Sequence, residues 1–199
     1  VLEAMCGSGR SLIPLRKAGI DVDGVDSSRP MLDACARRAA GAGLNPALHM
    51  QKIEDLDLPR RYGLIFIAGG SFALLVDRAA DALRRLRAHL LDGGKLLLEL
   101  DLHAAGPGSG KRSVATADGS TLSFTWRSLE PEGPDIGLVE CRYERVRHGR
   151  REEMEEEILR LRQRTSQSLT EELLGAGFRN VQFEPGPNGW VVEATAGGR

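Results

Sequence analysis

The sequence predicts an α/β protein with a doubly wound parallel sheet, and three observations carry that reading. Short apolar stretches alternate with helical stretches over the first hundred residues. LIFIA (64–68) is an apolar run of strand length, as strands covered on both faces are, and KLLLELDL (95–102) reads as another buried strand. The final two strand-like segments, VQFEP and WVVEATA, are joined only by Gly186-Pro187-Asn188-Gly189, so they must run antiparallel. Repeated strand–helix alternation calls for right-handed crossovers and helices on both faces.

In order, Val1 to Met5 and Ile20 to Val25 read as strands, and Arg10 to Lys17 and Pro30 to Ala40 as helices. Ser27 and Ser28 are placed to cap the second helix, and Pro30 suits its first turn, where no N–H is needed. Ala47 to Gln51 is a weak strand. Asp77 to Leu91 is a helix with apolar residues at helical spacing (Ala79, Leu83, Leu86, Leu90), expected to end on Asp92-Gly93-Gly94. After residue 102 the pattern becomes that of antiparallel sheet: SVATA, a turn at Asp118-Gly119, TLSFTWRSL, then LVECRYERVR. REEMEEEILRLRQR fits either a helix or a strand. The strand is favoured, because it sets Glu152 to Glu157 opposite Arg142, Arg145 and Arg147 across a turn at His148-Gly149-Arg150. A helix from about Ser168 to Leu174 precedes the closing hairpin.

With 27 basic and 28 acidic side chains the formal charge is −1, which gives no electrostatic basis for nucleic acid or an anionic membrane as partner. Cys6, Cys35 and Cys141 are scattered, without CxxC or Cys/His spacing, so no metal site is expected and a reduced, cytoplasmic protein is. The chain begins at Val1 inside a strand, so a preceding segment is expected.

In a doubly wound sheet, ligands bind beyond the carboxyl ends of the strands where strand order reverses. The turn Cys6-Gly7-Ser8-Gly9 lies there, at the entrance to the first helix. The second strand ends at Asp26, nineteen residues after Gly7, where a carboxylate can accept both hydroxyls of a ribose. A dinucleotide fingerprint would need glycine at position 12, where Leu12 stands. Glu3, inside the strand before the loop, would repel a pyrophosphate and attract a cationic ligand.

LEAMCGSGR followed by GVDSSRPML resembles the first two motifs of class I S-adenosylmethionine-dependent methyltransferases. YGLIFIAGGSF, LLDGGKLLLEL and LLGAGF are similar to that family's later landmarks, in the same order. The resemblance spans about residues 1–101 and 166–195. It implies one methyltransferase domain with a seven-stranded Rossmann-like sheet: residues 1–101 as cofactor-binding core, 102–165 as a substrate-facing antiparallel insertion, and 166–199 completing the sheet. It further implies S-adenosyl-L-methionine as cofactor and methyl transfer to a small-molecule acceptor. By position, Glu3 would face the methionine ammonium, and Ala4, Met5, Cys6, Gly7 and Gly9 would line the methionine and sulfonium. Asp26 would hold the ribose, with Ser27 and Met31 beside it, and Ile53 and Glu54 would border the adenine. Ala68, Gly69 and Gly70 would lie under the donor end.

Asp101 and His103, at the end of a strand, are the candidate proton acceptors. Nucleic-acid acceptors are disfavoured further, since Gly69-Gly70-Ser71-Phe72 replaces the Asn/Asp-Pro-Pro-aromatic stretch of base methylases. A homodimer is retained as an expectation. The chain departs from the family pattern at Met5 (usually glycine), Lys52 (often acidic) and Gly63 (usually aspartate). Those departures motivate the alternative of a non-catalytic S-adenosylmethionine-binding or scaffold protein on the same fold. A nicotinamide-dependent oxidoreductase is disfavoured by Leu12 and Glu3.

Overall fold

The computed structural model describes residues 1–100, 108–186 and 189–197. Its chain divides into two compact units, Val1–Leu102 with Thr165–Arg199, and His103–Arg164.

The first unit is built on a seven-stranded sheet. In chain order it contains β1 (Leu2–Ala4), α1 (Leu12–Lys17), β2 (Asp23–Asp26), α2 (Arg29–Ala40), β3 (Leu48–Met50), β4 (Tyr62–Ile67), α3 (Ala79–Ala88) and β5 (Leu90–Leu100). The unit is completed after the second one by α4 (Ser166–Gly175), β10 (Phe178–Gly186) and β11 (Gly189–Ala196). The strands lie in the order β10-β11-β5-β4-β1-β2-β3. Strands β1 to β5 are parallel to their neighbours, while β11 runs antiparallel between β5 and β10. The order reverses at β1, which has β2 on one side and β4 on the other. The ligand crevice of such a sheet opens at that point.

The apolar runs occupy the core as expected. Ile65, Ile67, Leu96 and Leu98 are essentially inaccessible and pack with Leu83, Leu86, Leu169, Leu173 and Phe178. Helix α2 starts on Ser28, whose hydroxyl accepts from the Met31 N–H at 3.4 Å, with proline in its first turn. Helix α4 has a capping box, with Thr165 and Ser168 satisfying each other's backbone N–H.

Several boundaries differ from the sequence reading. Strand β2 begins at Asp23 rather than Ile20, and Ile20 is exposed. Helix α3 ends at His89, short of Asp92-Gly93-Gly94. His89 Nε2 accepts the Leu58 N–H at 2.9 Å, so Nδ1 carries the proton that meets the Arg85 carbonyl at 2.8 Å. The ring stops the helix by bonding its last turn. Gly93, at φ 73, lies instead where the β4–β5 pairing jumps from Tyr62↔Leu90 to Leu64↔Lys95, so its left-handed backbone serves a bulge.

The second unit is a four-stranded antiparallel sheet: β6 (Ser109–Ala115), β7 (Ser120–Leu129), β8 (Ile136–Arg147) and β9 (Arg150–Arg162), in that order. The ambiguous glutamate run is therefore strand. Arg142 pairs with Glu156 at 2.6 Å, and Arg145 and Arg147 both reach Glu152 (3.5 and 3.3 Å). The β8–β9 turn holds only His148 and Gly149, at φ 48 and 74, the backbone of a tight hairpin. Phe124 stacks on Tyr143 across β7 and β8, with centroids 5.0 Å apart. Among the described residues no helix is long and apolar enough to cross a membrane.

Candidate active site

The carboxyl ends of β4, β1 and β2 lie side by side, and the loop after β1 crosses them. Asp26 holds this loop in shape. One carboxylate oxygen accepts the Gly7 N–H and the other the Ser28 N–H, both at 2.8 Å. It thus ties the glycine loop to the start of α2. A carboxylate offers about four lone-pair positions, so acceptor capacity remains on a half-buried group.

Loop residues Met5, Gly7 and Gly9 have φ values of 58, 53 and 79. Met5 is the departure from the family pattern, and it takes the left-handed backbone that a glycine would adopt freely. For a residue with a Cβ this costs about 1–2 kcal/mol, offset by packing of its side chain against the core. Gly9 is less replaceable. A Cβ there would stand 2.5 Å from the buried Cys35 Sγ and 3.1 Å from Ile13 Cδ1. Gly9→Ala is expected to destabilise the protein by about 2–4 kcal/mol in urea unfolding. Adding Cys35→Ala should recover the steric part of that loss.

Glu3 is 3% exposed, within β1 between Gly24 and Phe66 of the neighbouring strands. Its Oε2 is buried with no hydrogen-bond partner. Burial pushes its pKa up to about 7; the Leu12 N–H, the Ser11 hydroxyl and the Arg10 charge oppose that rise. A half-satisfied buried carboxylate beside a glycine loop is costly to keep, and an incoming cation would satisfy it. Cys6 is buried and its thiol is pushed far above the ordinary range by desolvation, so it is no nucleophile at neutral pH.

Of the remaining sequence candidates, Ala4 is buried at the end of β1, and Ser27 and Met31 are exposed beside Asp26 at the entry to α2. Ile53 is 3% exposed on a short 3-10 turn after β3, with Glu54 half-buried next to it. Lys52 is exposed. Ala68 and Gly69 follow β4, and Gly69 and Gly70 both have positive φ (64 and 73). Asp101 and His103 lie outside the described residues.

Two neighbours of the site were not singled out from the sequence. Glu99, in β5, accepts the Gly69 N–H at 2.7 Å and fixes the backbone after β4; a lone charge in the apolar run LLLEL was its signal. Arg10 directly follows the glycine loop, and its guanidinium lies where a Cβ on Gly69 would be.

This arrangement defines a class: a Rossmann-like sheet with antiparallel final hairpin, a glycine loop over β1, a buried acid before it and an acid ending β2. It is the fold of class I S-adenosylmethionine-dependent methyltransferases. Residues 1–94 match the family model described as "Methyltransferase domain". Similar solved structures include the sugar N-methyltransferase KedS8 from Streptoalloteichus sp ATCC 53650, 21% identical with a TM-score of 0.82, covering 99% of this chain and 79% of that one. Streptomyces venezuelae DesVI is 20% identical with a TM-score of 0.83, covering 98% of this chain and 82% of that one. CalS10, a SAM-bound amino pentose methyltransferase from Micromonospora echinaspora, is 20% identical with a TM-score of 0.75, covering 98% and 81%. No curated protein matches the sequence. The resemblance drawn from the sequence to class I methyltransferases therefore holds.

Proposed function

We propose that the protein transfers a methyl group from S-adenosylmethionine to a small-molecule acceptor. The observation that carries this reading is Glu3 Oε2, a buried carboxylate oxygen without a partner at the mouth of the glycine loop. It suits a ligand with an ammonium group and disfavours a pyrophosphate. The site is equally unsuited to a nicotinamide dinucleotide at position 12, where Leu12 is fully buried in α1.

When bound, the cofactor would supply an electrophilic methyl group on a sulfonium, already a good leaving group. Glu3 would hold its ammonium end, and Asp26 would accept the ribose hydroxyls while keeping the Gly7 N–H in place. Ala4 to Gly9 would wall the methionine chain, and Ile53 and Glu54 would border the adenine. Ala68 to Gly70, with Gly69 anchored by Glu99, would lie under the donor end. Positioning of this kind contributes about 7–11 kcal/mol to such displacements. A base is needed only where the acceptor carries a proton at neutral pH; Asp101 and His103 are the proposed candidates. The residue 102–165 sheet is proposed as the substrate-facing part. Amino sugars are the first acceptors to screen, since KedS8 and CalS10 are sugar and amino pentose methyltransferases.

A thermal-unfolding comparison tests the cofactor. S-adenosylhomocysteine at a hundredfold excess over its dissociation constant should stabilise the protein by about 2.7 kcal/mol, a rise of about 5–10 °C at this chain length. NADH should give none. No shift with millimolar S-adenosylhomocysteine would overturn the reading.

A further inference from the structure

The second unit is a sheet to which no described helix belongs, and its two faces differ in chemistry. On one face the charges are paired, Arg127 with Glu140 at 2.7 Å and Arg142 with Glu156 at 2.6 Å. On the other, the register lays side chains in rows across the four strands, because directly opposed residues share a face. The central row reads Arg112, Phe124, Tyr143 and Glu155, from β6 to β9. The row on one side of it carries Trp126, whose indole lies over Gly110, where a Cβ would stand 2.8 Å from Nε1. The row on the other side begins with Val114 and Leu122. Val114, Leu122 and Tyr143 are 60%, 42% and 40% exposed. A sheet with an aromatic and aliphatic face buries it against another layer.

The charges on this face select the layer. Arg112 stands on the β6 flank, and Glu153, Glu155 and Glu157 stand on the β9 flank. Among the described residues neither Arg112 nor Glu155 has an ion-pair partner. Arg145, the other cation on the face, is already held by Asp118. Two copies related by a twofold axis along the strands would set β6 of one over β9 of the other. Arg112 would then meet the partner's Glu155 at both ends of the row, with Phe124 and Tyr143 enclosed between. A twofold axis across the strands would instead bring each glutamate column against its own copy, which like charge opposes. Four strands of about ten residues, about 4.8 Å apart, cover roughly 600 Å² per copy. Two copies would bury about 1,200 Å², where stable interfaces begin.

We propose that this face is the contact surface of a symmetric homodimer, two four-stranded sheets packed face to face with Arg112 and Glu155 paired reciprocally across it.

Sedimentation equilibrium between about 1 and 100 μM protein tests this. The wild type should be dimeric. Arg112→Glu and Glu155→Arg, both at exposed positions, should each weaken association at least about 100-fold, since each sets two like-charge contacts across the interface. Combining Arg112→Glu with Glu155→Arg restores opposite charges and should recover the dimer, which a damaged fold would not. A wild-type monomer throughout that range overturns the proposal. So does a dimer that both single variants leave intact, because its contact lies elsewhere. A combined variant that stays monomeric overturns it as well.

Discussion

Glu3→Gln is expected to make the protein more stable at pH 8 and worse at binding its cofactor. The buried Glu3 carboxyl has its pKa raised from 4.5 to about 7. The folded state therefore holds a proton that the unfolded state releases between those values. Stability from this group is fully present below pH 4.5 and is lost as pH rises through about 7. At pH 8 the ionised carboxylate costs about 3 kcal/mol, and the neutral amide of glutamine removes that cost. Urea midpoints measured from pH 5 to pH 8 should show the advantage of Glu3→Gln growing with pH, from about 1 kcal/mol at pH 5. Ligand binding runs the other way. A cationic ligand prefers the ionised acid, so wild-type affinity for S-adenosylhomocysteine should fall as pH drops below about 7, and the variant should lack that dependence. A residue retained at a cost to stability and required for binding is what a functional buried acid looks like.

Asp26→Ala is expected to have the larger effect on binding. The substitution leaves the Gly7 and Ser28 N–H groups without their acceptor and removes the carboxylate proposed for the ribose. Two charge-assisted hydrogen bonds at about 1.5–3 kcal/mol each imply a loss of roughly 10²–10⁴-fold in affinity. Loss of the two backbone contacts should also lower stability by about 2 kcal/mol. Asp26→Asn keeps one acceptor oxygen and should fall between alanine and wild type on both scales. Affinity in Asp26→Ala within threefold of wild type would remove Asp26 from the binding site.

The alternation of strands and helices was legible because LIFIA is apolar on both faces, as a covered parallel strand is, and KLLLELDL keeps leucine at every second position. The glutamate strand β9 was legible through its charge partners on β8, not through its own ambiguous periodicity. The end of α3 was not. Asp92-Gly93-Gly94 has the chemistry of a helix cap, yet Gly93 serves a bulge, and the helix is closed by His89 through a contact with Leu58, thirty-one residues earlier. Local sequence cannot distinguish two structures that both require a left-handed glycine. In the site, Glu3 and Asp26 could be located because each marks the run of a predicted strand. Glu99 and Arg10 could not, because their importance depends on both reaching Gly69, which the sheet places beside the β1 loop.

The account turns on Glu3 as the anchor of a cationic, amino-acid-bearing cofactor. Its most direct test is calorimetric titration of S-adenosylhomocysteine at pH 8 into the wild-type protein and into Glu3→Gln. The expected result is micromolar binding by the wild type and at least about tenfold weaker binding by the variant, in a protein that is no less stable. Equal affinity in the two proteins, or none in the wild type, would contradict it.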